Sequence, residues 1–456
     1  MSQEEQQAQA QQPQNGQPPA PAQPPAQPPE TSQTDEQEKQ TDALTPNTWR
    51  LALVMGVVLI AVLSISLFTF FRLQSNSVEQ QMPGSLTELT VVASLPLGVS
   101  VGQSIANAIT LAFEEIDYKV GVYTIELVIL DDSDATGAWS ADLEGQNAVT
   151  AASDLHVVAY LGPYNSGAAK VSMPILNRAG ILQISPGNTW PGLTKPGFAP
   201  GEPGIFYPTG IRHYFRVVPT DDLQAPAGAA WARDLGFTSV FILDDGETYG
   251  KGIADLFRVA AENVGLNVVG QVTLKKDGSN TAQLIEDINT FAPGLVYYGG
   301  VTPNGITDFV KTLRETSSST VAIMGPDGIQ EQDFVDRIGA EAAEGIYATT
   351  VGVPTSAFDS DRARQFEEAY IARYEEEPEV FGAYGYESAR VVIQAIQLAD
   401  QANRAGILEA VRAFPRFSGV FGSWSFDRQG DTSLKLISGH VVRDGKFEFV
   451  DQLLIP

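Results

Sequence analysis

The stretch ILQISPGNTW, residues 181 to 190, decides how this chain is read. Ile181 to Ile184 is an apolar run of the kind that forms a short buried strand. It stops at once in Ser185, Pro186, Gly187, Asn188 and Thr189, with Trp190 behind them. Pro186 removes a backbone donor and Gly187 removes a side chain, so the chain cannot continue a ladder there. A buried strand that ends in hydroxyls, an amide and free backbone groups is either an ordinary strand-to-helix connection or one wall of a binding site. Taken alone, the ten residues allow both.

The run is one of a series. Before it come the strands LTVVASL, YTIELVILDD and VVAYLG, alternating with amphipathic helices such as SIANAITLAFEEID, whose Ile105, Ile109, Phe113 and Ile116 share a stripe. After a Gly/Pro-rich excursion at 191–210 a second series begins, with strands TSVFILDD, LNVVGQVTL, GLVYYGG and TVAIMG. Apolar strands alternating with amphipathic helices predict parallel sheets covered on both faces, and two series predict two α/β lobes. Long helices follow residue 356, then an all-strand tail from Ser423.

Composition narrows the function. The chain has 456 residues, 55 acidic against 28 basic, and a net charge of −27. That balance argues against nucleic acid as a partner, and against docking on anionic lipid. With no cysteine there is no disulfide, thiolate metal site, Cys nucleophile or lipidated Cys. Residues 1–47, rich in Gln, Pro and Ala, are expected to be a disordered tail. Residues 49–72 are expected to form a transmembrane helix. Leu51 to Phe71 carries no charge, and its 21 residues cover a hydrocarbon core of ~30 Å at ~1.5 Å each. Trp49, Arg50, Phe70, Phe71 and Arg72 are interfacial residues at its edges. The long acidic head and the lack of a small-x-small site separate it from a cleavable signal. Residues 73–88 read as a linker.

In open α/β sheets ligands bind beyond the carboxyl ends of the strands. Those ends read Pro96-Leu97-Gly98, GPYNSG with Asn165 and Ser166, SPGNTW, GETYG, GGVTPNG and GPDG. They are rich in Gly, hydroxyls and amides, with one conspicuous carboxylate, Asp327, and no adjacent His. His156, His213 and His440 lie elsewhere. No Walker A, H-E-x-x-H or G-x-S-x-G occurs. The acid pairs in LDDSD, LDDGE and TDDLQ read as strand ends and helix caps, since they lack an EF-hand's spacing. These termini suit binding rather than bond making, and no cofactor is expected.

GILQISPGNT, FILDDGETYGKG, GLVYYGG, IMGPDG and AEGIYATT occur in that order. By them residues 86–456 resemble the type I periplasmic binding proteins, within these the leucine/isoleucine/valine-binding receptors of ABC transporters. The resemblance implies two Rossmann-like parallel sheets joined by a three-segment hinge. Lobe 1 would be 89–217 with 349–421, and lobe 2 would be 218–348 with 422–456, the crossings falling near 215–219, 348–353 and 422–426. It further implies that Ser166 and Thr189 donate to a ligand carboxylate, beside Asn165 and Asn188. Gly187 would accept from the ammonium through its carbonyl, Asp327 would face that ammonium, and Tyr249 would close from lobe 2. Val301 and Val101 depart from the pattern, standing where the family often has aromatic walls, and Trp190 is left to refill that space. The function implied is a membrane-anchored, extracytoplasmic receptor that closes on an amino acid and delivers it to an ABC permease with its ATPase. The alternative is a ligand-sensing receptor domain for amino acids or small amides. An enzyme would rest on Asp327 alone.

Overall fold

A computed structural model describes residues 87–316, 321–358 and 360–456. The expected tail, the expected span at 49–72 and linker residues 73–86 lie outside them. Among the described residues no helix is long and apolar enough to cross a membrane.

The first series runs β1 (Glu88–Leu95), α1 (Ser100–Glu114), β2 (Lys119–Val120), β3 (Tyr123–Asp131), α2 (Ala141–Ser153), β4 (Val157–Leu161), α3 (Ser166–Ala179), β5 (Leu182–Ser185) and β6 (Tyr214–Arg216). The second runs α4 (Asp221–Asp234), β7 (Ser239–Asp244), α5 (Thr248–Asn263), β8 (Asn267–Thr273), α6 (Thr281–Phe291), β9 (Leu295–Gly299), α7 (Ile306–Thr316), β10 (Ala322–Gly325), α8 (Gln332–Ile338), α9 (Ala340–Ala343) and β11 (Tyr347–Val351). Then come α10 (Asp361–Tyr374), α11 (Val380–Leu398), α12 (Arg404–Ala413), the hairpin β12 (Phe417–Gly419) and β13 (Gly422–Trp424), and the pair β14 (Ile437–Arg443) and β15 (Lys446–Gln452).

One sheet has the order β2-β3-β1-β4-β5-β6 and the other β15-β14-β11-β10-β9-β7-β8. The inner strands of both are parallel, as the alternation of strand and helix requires. The expectation of wholly parallel sheets is corrected at the edges. β2 pairs antiparallel with β3, β14 with β11, and β15 with β14. For β2–β3 and β14–β15 the cause is connection length. A tight turn joins β2 to β3 and another joins β14 to β15, and a turn that short can only reverse the chain.

β1 and β4 are buried along nearly their whole length, because α1 and α11 cover one face of their sheet and α2 and α3 the other. The chain passes between the sheets after β6, after β11 and before β14. These passages hold one another. The Arg216 N–H donates to the Gly430 carbonyl (3.0 Å), and the Gly352 N–H to that of Leu436 (2.7 Å). They set the carboxyl ends of both sheets around one cleft.

Candidate ligand-binding cleft

Lobe 1 presents two adjacent strand ends. β4 runs into Gly162, Pro163, Tyr164 and Asn165, and α3 begins at Ser166. β5 runs into the SPGNTW turn, whose backbone is tied down from below. The Ser185 hydroxyl donates to the Pro163 carbonyl (2.8 Å) and accepts from the N–H groups of Gly187 (3.1 Å) and Asn188 (2.8 Å). The Asn188 amide donates to the Tyr164 carbonyl (2.7 Å) and accepts from the Tyr214 hydroxyl (3.0 Å). Fully buried Arg216 donates to the carbonyls of Asn188 (3.0 Å) and Trp190 (2.8 Å) and to the Asp431 carboxylate (2.7 Å). A small polar turn after a buried strand is thus a braced platform, with the residues that brace it drawn from several parts of the chain.

Lobe 2 faces it with Tyr249 from the first turn of α5, Val301 after β9, and Asp327 after β10. The Tyr249 hydroxyl donates to the Asp327 carboxylate (2.9 Å) and accepts from the Gly328 N–H (3.2 Å), which fixes the carboxylate's direction. The lobes are closed. A cavity of about 10 Å³ remains between them, lined by Tyr164, Asn165, Ser166, Gly187, Thr189, Tyr249, Val301 and Asp327. That is room for roughly one water, so a larger molecule requires the lobes to part. A second cavity, about 20 Å³, adjoins it and is walled by Val99, Val101, Ala138, Trp139, Val301 and Pro303, with Glu331 at its edge. A larger depression, about 750 Å³, lies near Arg212 and Arg428 and includes none of these strand-end residues.

Of the residues expected at the site, Asn165, Ser166, Gly187, Thr189, Tyr249, Val301 and Asp327 meet around the first cavity, and Val101 lines the second. Asn188 lines neither and supports the platform instead. Trp190 does not refill the space left by Val101 and Val301. Its ring packs against Phe198 and lies under the Lys170 ammonium, and its indole N–H donates to Glu202 (2.9 Å). Besides Tyr249, the aromatic walls are Trp139, from the loop after β3, and Tyr164. Trp139 presses on the first turn of α3 so closely that a Cβ on Gly167 would lie 2.4 Å from its ring. Both could have been found by reading every aromatic behind a strand end. In LDDSDATGAWS the acids drew attention and Trp139 did not; in GPYNSG the amide and hydroxyl displaced Tyr164.

The electrostatics are one-sided on each wall. No Lys, Arg or His lines either cavity. On the lobe 1 side the Ser166 hydroxyl stands at the amino end of α3, where the helix carries partial positive charge. On the lobe 2 side Asp327 is 4 % exposed, and burial pushes its carboxyl up to about 6 against the pull of Tyr249 and Gln224. Behind Thr189 stands Asp221, 0 % exposed. Burial, and then Asp327, raise Asp221 well above the carboxylate range; Thr189 and Arg216 offset this only in part. Asp221 lies in TDDLQ, where the sequence alone reads as a helix cap.

Two lobes that meet with neutral donors on one wall and a buried acid on the other have the form of a solute-binding protein. A profile of the family described as "Periplasmic binding protein" matches residues 93–435, and the chain belongs to that family. Among its relatives is a Leu/Ile/Val-binding protein of Rhizobium johnstonii, 26 % identical over 369 residues, covering 80 % of this chain and 94 % of that protein. The fold is that of a leucine binding protein from Thermotoga maritima, with a TM-score of 0.70 at 24 % identity over 80 % of this chain and 98 % of the other. A branched-chain amino acid transporter substrate binding protein from Streptococcus pneumoniae, in complex with isoleucine, gives 0.69 at 24 % identity over 81 % and 100 %.

Proposed function

We propose that this protein binds an α-amino acid between its lobes, outside the cytoplasmic membrane, and hands it to an ABC permease. The observation that carries the reading is the pair of unlike walls. Ser166, Thr189 and the amino end of α3 suit a carboxylate. Buried Asp327, with no basic residue beside it, suits an ammonium. The Gly187 carbonyl would take a further ammonium proton. The relatives' names make leucine, isoleucine and valine the first candidates. Lobe 1 would comprise 89–217 with 349–421 and lobe 2 218–348 with 422–456, moving about the three passages as a hinge. The charge-free run at 51–71 supports an anchor that keeps the receptor at the membrane, with the 73–88 linker as tether.

Calorimetric titration of the full-length protein with the common L-amino acids tests the reading. Binding of at least one, lost when its α-amino or α-carboxyl group is blocked, is expected. Small-angle scattering should show a smaller radius of gyration with that amino acid. Folded protein that binds none of them would overturn the reading.

A further inference from the structure

The second cavity has an end that an aliphatic side chain does not explain. Its walls are Val99, Val101, Ala138, Val301 and Pro303, with the face of Trp139 among them. Glu331, 6 % exposed, sits at its edge with Oε2 unpartnered. Glu331 caps α8 in lobe 2, while Glu379 precedes α11 in lobe 1, held there by its N–H to Ser104 Oγ (3.1 Å). Glu379 also has an unpartnered Oε2, with the Ser100 hydroxyl near enough to pull its carboxyl down in part. Both glutamates line one further recess, open to solvent. Closing the lobes therefore brings two carboxyl groups to one recess from opposite sides; Lys446 and His440 line that recess too, and Arg337 offsets only part of what raises Glu331. Glu331 is buried and Glu379 half-buried, and leaving a carboxylate buried and unpaired is costly. Burial and then Glu379 push Glu331 up to about 8, and burial pushes Glu379 up to about 7.

We propose that the Glu331 end of the second cavity is a subsite for a cationic side chain, held by Glu331 beside Trp139 with Glu379 facing Glu331 from the adjoining recess, so that the ligand is a basic amino acid. The inference rests on the amino-acid reading above and goes beyond it. Apolar walls fit a methylene stem, and an aromatic face together with two carboxylates fits a terminal ammonium or guanidinium. Such a ligand would neutralise the charges that closure juxtaposes, coupling closure to the correct side chain.

The test compares L-lysine with L-norleucine, the same chain without the terminal ammonium, by calorimetry on the full-length protein. Lysine or arginine should bind at least about ten-fold more tightly than norleucine. Glu331→Gln should bring lysine and norleucine within about three-fold of each other, and Glu379→Gln should narrow the gap. Thermal melts of both variants establish that they are folded. If leucine or norleucine binds the parent protein as tightly as lysine, or if Glu331→Gln keeps the full preference, the cationic subsite is overturned while the amino-acid reading stands. Tighter binding of glutamine than of lysine assigns a neutral donor and overturns it equally. If no amino acid binds, both fall together.

Discussion

Asp327 is the residue on which the site's charge turns. It is buried, directed by Tyr249, and faces a wall of neutral donors. Asp327→Asn keeps the shape and removes the charge, and should weaken amino-acid binding by on the order of 2–5 kcal/mol. Ser166→Ala loses a neutral donor and should cost about 1–3 kcal/mol. Calorimetry on the two variants gives the ranking, and equal losses would place the ammonium elsewhere. The same carboxyl makes binding pH-dependent. Free Asp327 holds its proton up to about pH 6, whereas an ammonium beside it favours the ionised form. Below that pH a proton must leave on binding, so affinity should fall by up to about ten-fold per unit as pH drops from 6 to 5. Titrations between pH 5 and 8 would show this, and a flat profile in Asp327→Asn would assign it to that group.

Two elements decide whether the lobes can meet. Trp190, at the end of the SPGNTW turn, lies against α5 across the cleft, where a Cβ on Gly252 would stand 2.3 Å from its ring. Gly252→Ala should leave each lobe folded but stop the last step of closure. We expect an unchanged melting temperature without ligand and an affinity reduced by about ten-fold or more, mainly through faster dissociation. Stopped-flow release kinetics separate this from a damaged binding wall. Beneath the turn, Arg216 joins two carbonyls to Asp431 from the third passage. Arg216→Leu takes the nearer cation from the buried Asp431 carboxylate, leaving it Thr194 and the more distant Lys195, and should destabilise the protein by about 3 kcal/mol, measured by denaturant unfolding. The Gly/Pro-rich excursion at 191–210 is legible in sequence only as a break. In the structure its Leu193, Phe206 and Tyr207 pack with Met173 and Trp190 into a small core of their own.

At the scale of the whole molecule, buried acids outnumber buried cations among the described residues, and stability should reflect it. Burial pushes both Glu144, beneath the lobe 1 strand ends, and Glu387, inside α11, up to about 7. A folded-state value above the unfolded one means the folded protein holds the proton more tightly. That contribution is present at low pH and fades as pH rises through 7. Buried His213 and His440 act in the opposite sense, lowered to about 3 and about 4 by burial. Their contribution is complete above the unfolded value of roughly 6.5 and is lost as pH falls. Between pH 6 and 8 the carboxyl groups dominate, so the melting temperature without ligand should drop by several degrees over that range. Scanning calorimetry checks this, and a melting temperature that rises toward pH 8 would contradict it.

The two βα series are legible in local sequence, and so are the strand ends at the cleft, where Ser166, Thr189 and Asp327 line the cavity. Hydrophobic periodicity reports which face of an element is buried, and Pro, Gly and hydroxyls report where a strand must stop. Both signals are local. Tertiary structure alone decided the antiparallel edge of the second sheet, because pairing direction depends on where the tail after Trp424 returns. It also decided the fate of the acids. Asp221, Glu331 and Glu379 resemble solvated charges in sequence, and only packing across the hinge and cleft removes water from them. Trp139, for which the sequence set no place, lines the cavity expected of Trp190 for the same reason. An aromatic ring fills whichever cavity its distant neighbours leave, and those neighbours come from parts of the chain that local patterning does not connect.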